Sequence, residues 1–344
     1  MNEPDAPDDA TLLALADQLT TRAGRGPARS LSRLTGGKNN QVYRVVTDAG
    51  EPLVLKRYFS DPRDPRDRLA AEWSFLRYAW ARGVRCIPEP LASETAVHAG
   101  LYGFVPGEKL LATELTAAHI DAAVDFVLAV NATPRTPLAL TPGSEACFSL
   151  AEHLATVERR VARLASLDPE APHSGAAQRL VTEALFPAWN AVKARLSKEA
   201  DAAGLVMDRI LGPDECCLSP SDFGFHNALA DNGRLTFLDF EYAGRDDPAK
   251  LACDFFCQPE IPVPLGYHTG FVARLADGLA LDDAGRARCR ILLDAYRIKW
   301  TCIILNDFLP LGAARRAFAD AGAWAARCAS QLEKAEAKLA GLKA

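Results

Sequence analysis

The apolar spacing of this chain shifts near Leu110 from mostly strand-like to mostly helical, and that change limits the folds open to it. Between residues 31 and 105 apolar residues come in short runs, broken by glycine, proline and aspartate. Residues 31–34, 41–46 and 52–58 read as strands, the second carrying β-branched and aromatic side chains. Gly36-Gly37 and Asp48-Ala49-Gly50 join them. Those connections are too short for parallel crossovers, so the three form an antiparallel meander. Residues 64–83 are predicted as a helix, with Leu69, Trp73, Leu76 and Trp80 at helical spacing and Gly83 as its stop. Residues 89–93 and 101–105 add two strands before Pro106-Gly107, which gives the order βββ-α-ββ. Beyond Leu110 helical periods dominate: 117–132, 150–167, 175–199, 248–257, 265–279, 283–309 and 313–342. One short β-like island interrupts them, between Cys217 and Tyr242. A further helix is expected over 11–22, ended by Gly24, Gly26 and Pro27.

Charge and cysteine usage narrow the partners. Lys and Arg number 39 against 44 Asp and Glu, a net charge of −5. A general nucleic-acid binder is basic, so nucleic acid is not an expected partner. An anionic ligand would need a local positive group or a metal. The nine cysteines are odd in number, irregularly spaced and free of any C-x-x-C pair. They read as reduced, buried thiols, which places the chain in the cytoplasm. The acidic opening MNEPDAPDDA does not resemble a targeting peptide, and no uninterrupted apolar stretch of about 18 residues is present, so no membrane partner is expected. Oligomeric state stays open.

The island carries the chemistry. It contains Asp222, Asn227 and Asp239, with Asn232-Gly233 as a hairpin turn. That turn folds residues 227–230 back on 234–238 and brings Asn227 beside Asp239, with Asp222 on the loop just before. Three hard oxygen-bearing side chains at one rim suit Mg²⁺, which also draws on substrate phosphates. Asp-x-x-x-x-Asn followed by a hydrophobic strand and Asp-Phe is also a phosphoryl-transfer layout. The first aspartate orients or deprotonates a hydroxyl, while the asparagine and second aspartate hold Mg²⁺ on the ATP phosphates. Lys56, in the apolar strand Leu53-Val54-Leu55-Lys56, and Glu72, on the next helix, match the ion pair that positions nucleotide phosphates. Singly, Lys56 reads as an edge-strand lysine and Glu72 as a solvated helical residue. Gly36-Gly37-Lys38-Asn39-Asn40 is neither a Walker A loop nor a Rossmann fingerprint, yet a glycine turn there can cover phosphates with backbone N–H groups. The Asp222-Phe223-Gly224 letters precede Asn227 and so do not occupy the metal-aspartate position of a protein kinase, and no H-R-D or A-P-E occurs.

The chain resembles the aminoglycoside phosphotransferase and choline kinase superfamily, small-molecule kinases with a protein-kinase-like fold. The resemblance runs in order from residue 31 to 257, through TGGKNNQVYRV, LVLKRY, the helix with Glu72, LYGFVPGE, SDFGFHN and LDFEYAGRDDPA. It implies an α+β fold of two lobes: an extension over 1–30, a small antiparallel β-sheet N-lobe with one key helix over 31–105, and a larger, mostly helical C-lobe over 106–344. The N-lobe would bind the nucleotide; the C-lobe would carry the catalytic loop and the acceptor site. By the resemblance Asp222 is the catalytic aspartate, Asn227 and Asp239 bind Mg²⁺, Lys56 binds ATP phosphates and Glu72 partners it. Gly36, Gly37, Asn39 and Asn40 would cover the phosphates. Gly103, Phe104 and Val105 would be the hinge that meets adenine. By the resemblance Asp247-Pro248 matches the family's Asp-Pro opening of a helix, and it is a good N-cap with proline at N1 in its own right. The superfamily's usual His-Gly-Asp is Pro220-Ser221-Asp222 here, and His226 reads as a loop-packing imidazole. The implied activity is ATP- and Mg²⁺-dependent phosphorylation of a hydroxyl on a small molecule such as a sugar, amino alcohol or aminoglycoside. A nucleotide-binding pseudokinase and a nucleotidyl transferase are the alternatives. The helices after Tyr242 would line the acceptor site, with Asp254, Glu260, Arg297, Lys299 and Asp307 as candidates.

Overall fold

The computed structural model describes residues 8–34, 40–60, 64, 66–132, 141–310 and 321–342. Two compact units emerge, the first drawing on residues 1–114, 125–144 and 220–244, the second on 115–124, 145–219 and 245–344.

In the first unit, α1 (Asp9–Arg22) starts at Asp8, whose carboxylate accepts the Thr11 N–H at 2.7 Å. A five-stranded sheet follows: β1 (Ala28–Leu34), β2 (Gln41–Thr47), β3 (Pro52–Arg57), β4 (Pro90–Glu94) and β5 (Ala99–Gly103), in the order β1-β2-β3-β5-β4. All four pairings are antiparallel, three of them joined by short connections and β3–β5 across α2 and β4. Strand alternation divides the side chains. Tyr43, Val45, Leu53, Leu55 and Leu101 pack on Leu12, Ala16 and Leu19 of α1. The intervening residues, Lys56 among them, occupy the opposite face. There Lys56 stands opposite both Val42 and Gly100.

The helix α2 (Arg68–Ala81) begins later than residue 64, because Asp67 is the side chain that caps it, accepting from Ala70 N–H at 2.9 Å. Its buried stripe is Leu69, Glu72, Phe75, Leu76 and Ala79. Trp73 and Trp80 flank that stripe instead of leading it, and Arg77 and Arg85 lie over their rings. Rotating the stripe this way turns Glu72 inward. Gly83, at φ +84°, ends the helix, and Val84 N–H reaches back to the Ala79 carbonyl at 3.1 Å.

The expected hairpin is present as Ala228–Asp231 and Arg234–Phe237, turned by Asn232 and Gly233, both at positive φ. Glu108 extends it by exchanging two backbone hydrogen bonds with Ala230, at 3.0 and 2.8 Å. Gly107 allows that approach: a Cβ there would stand 2.6 Å from the Ala230 carbonyl. Beneath the hairpin lies a phenylalanine cluster. Phe126 stacks on Phe237 with ring centroids 4.6 Å apart, Phe75 stacks on Phe240 at 4.7 Å, and Phe223 closes on Phe237 at 5.3 Å.

The second unit is mostly helical. The expected 175–199 helix divides into Ser174–Arg179, one π-helical stretch Leu180–Leu185, and Phe186–Ala202. Residues 283–309 likewise divide at Leu292 and Leu305. Part of the expected 313–342 helix lies outside the described residues; Ala321–Ala340 is helical. At the centre is Pro248–Cys257, buried along its whole length and capped by Asp247, which accepts from Ala249 N–H at 2.9 Å. All nine cysteines are free, and eight are buried. Among the described residues no helix is long and apolar enough to cross a membrane.

A buried charge network surrounds the start of the central helix. Lys250 Nζ lies 2.6 Å from Asp246, Lys299 Nζ 2.9 Å from Asp254, and Arg288 Nε 2.9 Å from Asp247. His153 joins it through Nε2, 3.3 Å from Asp247 Oδ2, and Nδ1, 2.6 Å from the Tyr296 hydroxyl. Burial disfavours the imidazolium, but the hydrogen bond and charge of Asp247, with Cys147 nearby, outweigh it and push the His153 pKa up to about 9. A free imidazole titrates near 6.5, so the protonated ring stabilises the fold fully below that pH and the contribution is lost as pH rises through about 9. Urea unfolding of the whole chain should therefore show a loss of roughly 2 kcal/mol between about pH 6.5 and 8.5. His153→Gln should flatten that slope; an unchanged slope in the variant would refute the assignment.

Candidate active site

Lys56 links three segments of the first unit. Its Nζ lies 2.6 Å from Glu72 Oε2 and 2.5 Å from Asp239 Oδ1. Burial alone would lower the lysine pKa, but the carboxylates of Glu72 and Asp239 outweigh it and hold the ammonium charged well above its ordinary range. Burial raises Glu72 above the usual carboxylate range, so Glu72 depends on Lys56 for its charge. The side chains differ in access: Glu72 is 4% exposed, whereas Asp239 is 40% and Asp222 37% exposed. Glu72 is thus an internal partner, and the two aspartates are open to a ligand. An ammonium has three N–H donors, and Glu72 and Asp239 take two of them. The third suits a phosphate oxygen.

The loop before the hairpin sets the other oxygens. Asn227 Nδ2 donates to the Asp222 carbonyl at 3.0 Å, and Leu238 N–H donates to the Asn227 carbonyl at 2.8 Å. Asn227 is thereby adjacent to the Asp239 segment, and its carboxamide oxygen remains an acceptor. His226 Nε2 stands 3.3 Å from Asp222 Oδ1. The sequence suggested a loop-packing role for His226; the structure brings it directly to the aspartate. Ser221 and Asp239 both adopt left-handed backbone, at φ +68° and +65°. Such conformations cost of order 1–3 kcal/mol and gather at functional sites.

Asn227 and Asp239 offer hard oxygen donors, the set that suits Mg²⁺. Among the described residues no group of three or more His, Cys, Asp or Glu is arranged to hold a metal. A cation here would draw on two protein oxygens and complete its shell with phosphate and water, which is how Mg²⁺ is ordinarily held.

Asn40 reaches the same region. Its Nδ2 donates to Glu241 Oε2 at 2.5 Å, and its Oδ1 accepts from Phe59 N–H at 3.2 Å. Gly36, Gly37 and Asn39 lie outside the described residues. Gly103 ends β5, its N–H donating to the Glu89 carbonyl at 2.9 Å, and the Phe104 ring sits under the Arg44 guanidinium at 5.1 Å. Val105, half-buried, follows. Of the acceptor candidates, Asp254 and Lys299 are paired with each other inside the second unit, and Trp300 Nε1 also donates to Asp254 at 2.6 Å. Arg297 donates to the Lys338 carbonyl at 3.3 Å, and Asp307 accepts from Gln331 at the same distance.

Two further groups belong to the site without a role assigned to them by its motifs. Tyr58 donates its hydroxyl to Glu72 Oε2 at 2.8 Å, and the Tyr58 and Tyr102 hydroxyls are 2.7 Å apart. The one available signal was the strand period, which puts Tyr58 on the same face as Lys56.

An antiparallel sheet with its inward helix, a mostly helical remainder and this lysine–glutamate–aspartate constellation define the protein-kinase-like fold of small-molecule kinases. A model of the phosphotransferase enzyme family matches residues 30–292, and the chain belongs to that family. It is a phosphotransferase with a hydroxyl group as acceptor. Solved structures share the fold. A spectinomycin phosphotransferase in complex with ADP and spectinomycin superposes with a TM-score of 0.60 at 14% identity, over 97% of this chain and 99% of that one. Choline kinase from Cryptosporidium parvum gives 0.57 at 10% identity, over 96% and 95%. A choline/ethanolamine kinase family protein from Mesorhizobium loti gives 0.54 at 19% identity, over 90% and 88%. No curated protein matches the chain.

Removing one member of a buried ion pair strands the other charge, which costs about 3–5 kcal/mol. Lys56→Met should destabilise the chain by that order in urea unfolding. The double variant Lys56→Met/Glu72→Leu should recover most of the loss. Equal instability of single and double variants would show that Glu72 does not rely on Lys56.

Proposed function

We propose that this chain is an ATP- and Mg²⁺-dependent kinase that phosphorylates a hydroxyl of a small molecule, of the sugar, amino-alcohol or aminoglycoside type. The observation that carries this reading is Lys56 bridging Glu72 and Asp239, with Asp222 and Asn227 on the adjoining loop. Residues 31–105 are taken as the nucleotide-binding lobe and 106–344 as the lobe with the catalytic loop and acceptor site. Nine free thiols fit a cytoplasmic setting.

In this reading Lys56 holds phosphate oxygens through its remaining N–H. Gly103, Phe104 and Val105 meet the base by their backbone, and the turn of Gly36, Gly37, Asn39 and Asn40 covers the phosphates. Asn227 and Asp239 would hold Mg²⁺, which when bound would supply positive charge against the phosphate oxygens. Asp222, steadied through Oδ1 by His226, accepts the proton of the acceptor hydroxyl. The hydroxyl oxygen bonds to the γ-phosphorus, the bond from that phosphorus to the bridging oxygen of ADP breaks, and ADP leaves with the electron pair. Positioning and electrostatics do most of this work. The named relatives act on spectinomycin or carry names of choline and ethanolamine kinases, which motivates the acceptor class.

The test is ADP release against a panel of hydroxylated metabolites, amino alcohols and aminoglycosides, with the product checked by mass spectrometry. Phosphate addition to one class is expected. Asp222→Asn should lower its turnover by roughly 10²- to 10⁴-fold while Mg-ATP still binds. Undiminished turnover in that variant would remove Asp222 from the mechanism. Transfer of AMP in place of phosphate, or ATP binding with no acceptor turned over, would overturn the kinase reading.

A further inference from the structure

Tyr58 follows Lys56 by two residues and so shares its face of the sheet. Its N–H donates to the His98 carbonyl at 2.8 Å, which carries the β3–β5 pairing one residue further. Both tyrosines are buried, Tyr58 at 6% and Tyr102 at 3% exposure. A phenol has a single proton to give, and that fixes the direction of the chain. Tyr58 gives its proton to Glu72 Oε2 at 2.8 Å, so at 2.7 Å it must accept from Tyr102. Glu72 Oε2 therefore receives two donors, Lys56 and Tyr58.

Gly100 makes the contact sterically possible. It stands two residues before Tyr102 on β5 and opposite Lys56 on β3. The Tyr102 ring leans along its own strand across this position, and a Cβ on residue 100 would lie 2.3 Å from the Tyr102 hydroxyl. The Trp73 ring, with its centroid 6.2 Å away, lies on α2 next to Glu72 and flanks Tyr102. Sheet and helix thus both shape one small buried relay.

We propose that Tyr102 and Tyr58 form a hydroxyl relay that positions Glu72, and through it Lys56, for the phosphates of the nucleotide. The proposal rests on the reading of Lys56 as a phosphate ligand. Glutamate has three side-chain torsions and tyrosine two, so a rigid phenol fixes the rotamer of a flexible carboxylate. Both hydroxyls act through Glu72 on Lys56, which makes the tyrosines positioning residues and predicts that their effect falls on phosphate binding.

Calorimetric titration of the full chain with Mg-ATP and, separately, with adenosine tests this. Tyr58→Phe should weaken Mg-ATP about tenfold, the effect of one hydrogen bond to a charged group, and leave adenosine within about twofold. Gly100→Ala keeps both hydroxyls but drives Tyr102 aside, and should give the split on the smaller scale expected when Tyr102 alone is lost. Tyr102→Phe should likewise give this smaller split, because Tyr58 still donates to Glu72. Cooperative thermal unfolding identifies the variants that fold, and Tyr102→Phe carries the test if Tyr58→Phe does not. Equal weakening of Mg-ATP and adenosine would show a merely structural role and overturn the relay. Wild-type affinity for Mg-ATP in Tyr58→Phe would also overturn it. A wild-type chain that binds no Mg-ATP would instead overturn the kinase reading, and the relay's role with it.

Discussion

Lys56 is a buried cation with two carboxylates within 2.6 Å, and the first unit is arranged around keeping it so. Taking a charge out of water costs several kcal/mol even after relaxation, and a single partner rarely repays it. Here one partner, Glu72, is almost wholly buried, and the other, Asp239, is substantially open. The asymmetry matters for chemistry. Glu72 neutralises the lysine internally, so Asp239 can turn to a ligand without stranding the ammonium. An ammonium fixed by one buried carboxylate and facing one exposed carboxylate is a ready counter-charge for an anion. In a chain of net charge −5 this fixed ammonium is one local countercharge that an anion can use once Asp239 is itself offset.

Holding Asp239 and Asp222 in place falls to apolar contacts. Each is followed at once by a phenylalanine, Phe240 and Phe223, and both rings enter the cluster of Phe75, Phe126 and Phe237. The hydrophobic anchor therefore sits one residue from each carboxylate. Aromatic packing of this kind is stiff, and large buried rings have few alternative rotamers. Because Phe75 belongs to α2 and Phe240 to the Asp239 segment, the same stack that seats Asp239 also seats the helix carrying Glu72. Distance between Glu72 and Asp239, and hence the geometry around Lys56, is set by ring contact as well as by charge.

Much of this was legible in the sequence because it depends on local periods and turn chemistry. Strand alternation, the Asn232-Gly233 turn and the Asp247-Pro248 cap each involve neighbours within a few residues, and the structure shows all three. The resemblance to small-molecule kinases rested on the order of short motifs, and the family match bears it out. What escaped has a common physical form. The α2 stripe was misplaced by its tryptophans, which satisfy themselves by stacking under arginines and leave the buried face to Glu72 and Phe75. The Tyr58–Tyr102 contact spans 44 residues and needs a glycine on a third position, so no window along the chain displays it. Asn40 and Glu241 are 201 residues apart. Asp254 and Lys299 carried charges that suggested an acceptor site, and the fold instead closes them on each other. Charge type alone does not tell a ligand from a core ion pair; only burial and the partner do.

The backbone at Ser221 and Asp239 is strained where charge and ring packing meet. Both residues sit in left-handed conformation without being glycine, a cost the sequence could have avoided. Glycine would relieve the strain at Asp239 but remove the carboxylate that meets Lys56. At Ser221 it would loosen the turn that presents Asp222. The strain is therefore tolerable only because neighbours overdetermine it. Phe240 is locked in the ring cluster, Leu238 N–H is held by the Asn227 carbonyl, and Asn227 is held in turn by the Asp222 carbonyl. These contacts form a closed circuit from one strained residue to the other. Stability is given up at Asp239 and just before Asp222, the two exposed carboxylates, and recovered in the apolar and backbone contacts beside them.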